Sequence, residues 1–79
     1  MYVYLLQSEI DPRQRYVGST GNLKKRLAAH NAGASPHTSN WRPWKLVVAI
    51  YYQDKQKALA FEQYLKEGSG HAFAKRHFW

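Results

Sequence analysis

Tyr2-Val3-Tyr4-Leu5-Leu6-Gln7-Ser8-Glu9-Ile10-Asp11-Pro12-Arg13-Gln14-Arg15-Tyr16-Val17-Gly18 is the stretch on which the fold turns. Tyr2 to Gln7 alternates aromatic and aliphatic residues, the pattern of a strand. Ser8 to Gln14 is polar and contains Asp11-Pro12, where a fixed proline φ and an aspartate that bonds nearby backbone favour a turn. Arg15 to Gly18 returns as a short second strand. The segment therefore predicts an antiparallel hairpin with a loop longer than the two-residue minimum.

Working outward, Ser19-Thr20-Gly21-Asn22 offers several N-caps, and Leu23 to His30 places Leu23 and Leu27 at i,i+4 with lysines beside them. This predicts an amphipathic helix ending near Asn31-Ala32-Gly33. Ala34 to Pro43 carries Ser35, Pro36, Ser39, Asn40 and Pro43 and reads as an exposed loop. Trp44 to Tyr52 contains Leu46-Val47-Val48-Ala49-Ile50-Tyr51, an apolar, β-branched run expected of a strand buried on both faces at the centre of a sheet. Asp54 caps a helix from Lys55 to about Glu67. Gly68-Ser69-Gly70 stops it, and His71 to Phe78 forms a final basic turn or helix. The order β-β-α-β-α-(α) belongs to the α+β class, a small three-stranded antiparallel sheet flanked by helices.

Seventy-nine residues suit one domain over 1–79, without a second core. No cysteine is present, so neither a disulfide nor a cysteine zinc site is available, and aromatics at 15% with hydrophobics at 44% must form the core. The opening residues show neither a basic leader nor a long apolar run, so neither a signal peptide nor a membrane span is expected, and a cytoplasmic location is. Twelve Lys and Arg against five Asp and Glu give a formal charge of +7. Such a charge favours a polyanion, with nucleic acid the leading partner class.

The carboxylates narrow the chemistry. Glu9 and Asp11 fall in the hairpin turn, Asp54 reads as a cap and Glu67 ends a helix, which leaves Glu62. On a helix Glu62 lies beside Ala58, Leu59 and Leu65 and so borders the apolar face. Either it pairs with Lys66 at i,i+4 or it serves as a metal ligand, for which one carboxylate suffices when phosphate oxygens and water complete the shell. Arg26 and His30 share a helix face and can converge on one ligand, although a solvated arginine and a histidine at a helix C-terminus explain them too. Tyr4 and Tyr16 suit cross-strand packing. Lys24, Lys25, Arg42, Lys45, Lys75 and Arg76 are candidate phosphate contacts or plain solvated surface.

Taken together, Tyr2-Val3-Tyr4, eleven residues of hairpin, Tyr16-Val17-Gly18, Arg26 ten residues after Tyr16, His30 and then Glu62 on the second helix resemble the GIY-YIG nuclease superfamily over essentially the whole chain. The pattern looks closest to small stand-alone bacterial members. It is also similar to the N-terminal nuclease module of the excision-repair endonuclease and to phage homing endonucleases. The resemblance implies that Tyr4 and Tyr16 match the two motif tyrosines, Arg26 the essential arginine, His30 a position held by His or Tyr, and Glu62 the ligand of one Mg2+ or Mn2+ ion. It implies metal-dependent cleavage of nucleic acid, with DNA the expected substrate. Tyr2 stands where the motif has glycine, valine replaces isoleucine in both tripeptides, and no asparagine follows Glu62. The glycines at 68 and 70 suggest a further phosphate site at a helix N-terminus.

Two other classes explain the charge or the aromatics. One is a non-catalytic nucleic-acid-binding module that stacks bases on Trp41 and Trp44. The other is an interaction domain that packs Trp44 and Trp79 on a partner.

Overall fold

The computed structural model describes residues 1–79. Strands β1 (Tyr2–Ser8) and β2 (Arg15–Thr20) form the hairpin, followed by helix α1 (Leu23–Asn31), strand β3 (Trp44–Tyr51) and helices α2 (Lys55–Leu65) and α3 (Gly68–His77). The sheet is antiparallel in the order β2-β1-β3, with Tyr4 opposite Gly18 on one side and Ala49 on the other. The α+β class and the element order are as the sequence predicts.

The centre of the sheet is not. β1 occupies it, and β3 is an edge strand. Val3, Tyr4, Leu5 and Leu6 are at most 1% exposed, whereas Leu46 and Tyr51 of β3 are 38% and 61% exposed. Both segments are continuous apolar runs, and composition alone does not say which has a partner on each side. β2 takes one edge of β1 through the hairpin, and β3 takes the other.

Alternation along β1 divides the interior in two. Val3 and Leu5 point to α2 and α3 and pack with Ala58, Leu65 and Ala74. Tyr4 and Leu6 point to the other face, where Trp44 joins them and Tyr16, Leu23, Leu27 and Ala49 close around. Trp44 is only 4% exposed and donates its indole N–H to the Thr38 carbonyl at 2.8 Å. It offers no surface for stacking bases or docking a partner; Trp41, at 36% exposed, is more open.

Local signals hold at the helix starts. Asn22 caps α1 by accepting from the Lys25 N–H, and Asp54 caps α2 by accepting from Gln56 and Lys57. Gly68, at φ +30°, turns the chain between α2 and α3, so α3 begins at the glycines instead of after them. Gly70 lies within its first turn because a Cβ there would strike the Tyr64 carbonyl, where the two helices meet.

The segment from Ala34 to Pro43 is more than an exposed loop. It contains a short 3-10 turn at Ser39–Trp41 and buries Thr38 to 1%. Ser8 fastens it from β1 by donating its hydroxyl to the Trp41 carbonyl at 2.6 Å. Asn31, at the end of α1, exchanges two hydrogen bonds with the Trp44 backbone and so ties α1 to the start of β3.

Candidate active site

Gly18 sits opposite Tyr4 in the hairpin. A Cβ there would lie 2.6 Å from the Tyr4 hydroxyl and 2.9 Å from the Tyr16 ring. Without it, the Tyr4 phenol lies over the backbone of β2 and the Tyr16 ring comes alongside, 6.1 Å between centroids. His30, from the last turn of α1, completes the cluster at 5.8 Å from the Tyr4 ring and 4.9 Å from the Tyr16 ring. Tyr16, Arg26, Ala29, His30, Ala34 and Ser35 line a cavity of about 230 Å³.

A buried polar chain runs through this cluster. The Tyr4 hydroxyl lies 2.9 Å from His30 Nε2, and His30 Nδ1 lies 2.8 Å from the Thr38 hydroxyl, which itself reaches the Ser35 carbonyl at 3.5 Å. Arg26 is only a donor, so the one acceptor for the Tyr4 proton is His30 Nε2. Nδ1 then carries the imidazole proton and donates to Thr38, whose own proton goes to Ser35. In this assignment every proton has an acceptor, consistent with the absence of any unpartnered buried side-chain nitrogen or oxygen.

Electrostatics support the same protonation states. Burial chiefly, with the neighbouring Tyr16 and Glu62, pushes the Tyr4 phenol up to about 12, against the charge and hydrogen bond of Arg26. Burial first and then the Arg26 guanidinium hold His30 below its ordinary value. At neutral pH the pair is a neutral phenol donating to a neutral imidazole.

Glu62 enters from the opposite layer. Burial disfavours its charge, but hydrogen bonds from Lys66 and Ser19, with the Lys66 charge, outweigh burial and hold the carboxyl below its usual range. The i,i+4 pair with Lys66 is present at 2.7 Å, and the Glu62 side chain is 18% exposed. Ser19 follows Gly18, so its influence on Glu62 places the acid near β2, beside the gap over which the phenols meet. Its charge is felt at Tyr4. No group of three or more His, Cys, Asp and Glu forms a metal cage. What Glu62 offers is a single ionised carboxylate that already holds a cation, a donor set suited to Mg2+ when substrate and water supply the remaining oxygens.

The other basic residues divide between the layers. Lys24 and Lys25 lie exposed on α1 beside Arg26. Arg42 packs its guanidinium over Gly33, where φ is +82° and a Cβ would collide with it. Lys45 lies exposed on the edge strand β3, while Lys75 and Arg76 occupy the last turn of α3 on the other layer, where their charge complements the helix dipole. At the start of α3, Glu67 is the N-cap residue but makes no side-chain capping bond, its carboxylate accepting from Gln63 at 2.8 Å instead. Sequence reasoning did not find Thr38 or Ser19. Both are short hydroxyl residues in polar stretches, and only the folded chain shows what they touch.

The profile of the GIY-YIG catalytic domain matches residues 1–76. The chain belongs to the GIY-YIG family. It is 38% identical, over 95% of its length, to 22% of the structure-specific endonuclease subunit SLX1 of Debaryomyces hansenii. It is 42% identical, over 76% of its length, to 20% of the SLX1 subunit of Scheffersomyces stipitis. The chain thus spans about a fifth of these relatives. It is also 37% identical, over 84% of its length, to 70% of the UPF0213 protein CPE1444 of Clostridium perfringens. No solved structure matches it. No helix is long and apolar enough to cross a membrane.

Proposed function

We propose that this chain is a metal-dependent endonuclease that hydrolyses phosphodiester bonds of nucleic acid, with DNA as the substrate. The observation that carries the reading is the meeting of two phenols over Gly18 with the His30 imidazole against both rings and Arg26 lining the same cavity as Tyr16 and His30, while the ionised Glu62 lies close enough for its charge to act on Tyr4. The family relationship and the printed activity of the SLX1 relatives support it.

In this reading Arg26 binds the scissile phosphate through charge-assisted, fork-shaped hydrogen bonds that strengthen as charge builds on the phosphoryl oxygens. Tyr16, which borders the same cavity, acts in its deprotonated form, having lost its phenolic proton to solvent, and takes the proton of the attacking water. Tyr4 remains protonated and, donating to His30, holds the imidazole and the floor of the cavity in place. Thr38 fixes the His30 tautomer that makes Nε2 the acceptor. Glu62 holds one Mg2+ or Mn2+ ion, exchanging its contact with Lys66 for it. When bound, the ion supplies electrostatic stabilisation of the departing 3′ oxygen.

The test is cleavage of labelled single-stranded, duplex and branched DNA with Mg2+, Mn2+ or EDTA. Arg26→Ala and Glu62→Ala should each lower the rate by about 10²–10³, the loss typical when one group stabilising transition-state charge is removed. Arg26→Lys should restore little. Cleavage that persists in both alanine variants, or in EDTA, would sink the assignment.

A further inference from the structure

A second cavity opens at the β2 edge, on the side of the sheet that faces α2 and α3. It measures about 310 Å³ and is lined by Arg15, Val17, Leu65, Lys66, His71 and Trp79. Arg15, Lys66 and His71 face it, and no carboxylate side chain does. The chain contains two ion pairs, Arg13 with Asp11 and Lys66 with Glu62, so Arg15 has no acidic partner. Its guanidinium lies instead 5.0 Å from the centroid of the Trp79 ring. A guanidinium pinned against a ring in this way can still direct N–H groups at an anion.

Val17 and Trp79 pack on the apolar cluster that contains Leu65, so one wall is apolar and the rim is cationic. A nucleotide asks for this combination, with apolar or aromatic surface for its base and cations for its phosphate. The volume lies at the lower end of ligand pockets, about 300 Å³. It admits one nucleotide and not a base pair. The location ties it to the cleavage site twice over. Tyr16 borders both cavities, and Lys66 lines this one while holding Glu62 at 2.7 Å.

We propose that this cavity binds a single unstacked nucleotide of the strand being cut, next to the scissile phosphate, with its phosphate on Arg15 and His71 and its base against Trp79, Val17 and Leu65. The proposal rests on the nuclease reading and adds a substrate requirement. The strand must be single or frayed beside the cut, because a paired base has to leave its stack to enter.

Equilibrium binding in EDTA, where cleavage is suppressed, tests it. A short labelled single-stranded oligonucleotide and the blunt duplex of the same length are titrated by fluorescence anisotropy over a series of salt concentrations. Wild type should prefer the single strand. Arg15→Ala should weaken single-strand binding by about fivefold and lower the slope of log K against log salt by about 0.7, the release expected for one phosphate contact on a single strand. His71→Ala, which removes a hydrogen-bonding group from the pocket, should weaken single-strand binding by a similar factor. Duplex binding should stay within about twofold, because those contacts lie outside the pocket. Lys57→Ala, an equal loss of charge from an exposed position of α2 away from the cavity, should leave the single-strand preference intact. His71→Ala leaves the Arg15–Trp79 contact in place, so it decides the matter even if Arg15→Ala unfolds the chain. Equal losses on single strand and duplex, or an effect of Lys57→Ala as large as that of Arg15→Ala, would overturn the pocket. So would indifference of single-strand binding to His71. In each of those cases the nuclease reading survives. Wild type that binds neither nucleic acid would end both.

Discussion

The two faces of the sheet are made by alternate residues of one strand and both bury apolar side chains, yet only one of them also carries a buried polar chain. Towards α2 and α3, Val3 and Leu5 meet Ala58, Leu65 and Ala74 in an apolar cluster. Towards α1, Tyr4 shares its layer with His30 and Thr38, and a buried chain of hydrogen bonds runs through all three. The first face is stabilised by area removed from water, which is non-directional and graded. The second is stable only when each donor finds its acceptor, and removing one atom leaves another without a partner. Size should matter on both faces, and chemistry on the second as well.

The largest expected effect tests the apolar face. Leu5→Ala should cost about 2–5 kcal/mol, a large share of the roughly 5–15 kcal/mol of a small domain. Tyr4→Phe, which keeps the ring and loses one hydroxyl, should cost about 1–3 kcal/mol by leaving His30 Nε2 unpaired, while cleavage falls sharply. Chemical denaturation and the cleavage assay, run on both variants, measure the two effects. If Leu5→Ala proves the milder for stability, the division between the faces is wrong.

A smaller effect is expected at Thr38. Thr38→Val is nearly isosteric and deprives His30 Nδ1–H of its acceptor, so the tautomer that accepts from Tyr4 loses its support. Cleavage should fall about tenfold, equivalent to about 1.4 kcal/mol, and the pH profile should move. Thr38→Ser should recover most of the rate. A valine variant with an unchanged profile would show that Thr38 only fills space.

The smallest effect is a pH dependence of stability. His30 is held below its ordinary value of 6.5 in the folded chain, so as pH falls through 6.5 the unfolded state takes up its proton first. The contribution of the neutral imidazole is therefore complete above 6.5 and is lost progressively as pH falls towards the folded value. Tm should decline over that range in wild type and less in His30→Gln. Glu62 and Asp11, also lowered, act only below the carboxylate values of 4.5 and 3.8 and leave this window clear. Identical declines in both proteins would remove His30 as the cause.

Much of this architecture is legible along the chain. The alternation of Tyr2 to Gln7, the polar turn and the caps at Asn22 and Asp54 specify the hairpin and the helix starts from residues a few positions apart. The spacing of Tyr4, Tyr16, Arg26, His30 and Glu62 named the candidate site. Its alternatives were not separable there. At Glu62 the choice lay between an i,i+4 pair with Lys66 and a metal ligand; the pair is present at 2.7 Å, and the metal role is what the cleavage assay tests. Thr38 and Ser19 gave no signal, since a hydroxyl residue in a polar loop or an edge strand reads as solvated.

Local order, then, belonged to the sequence: periodicity and capping are satisfied within one segment and need no distant partner. The inner position of β1, the burial of Trp44 and the hydroxyl that meets His30 were decided only in the tertiary structure. Each depends on which segments lie side by side. That is settled by total burial and by the pairing of every buried donor, quantities that no single stretch of chain contains.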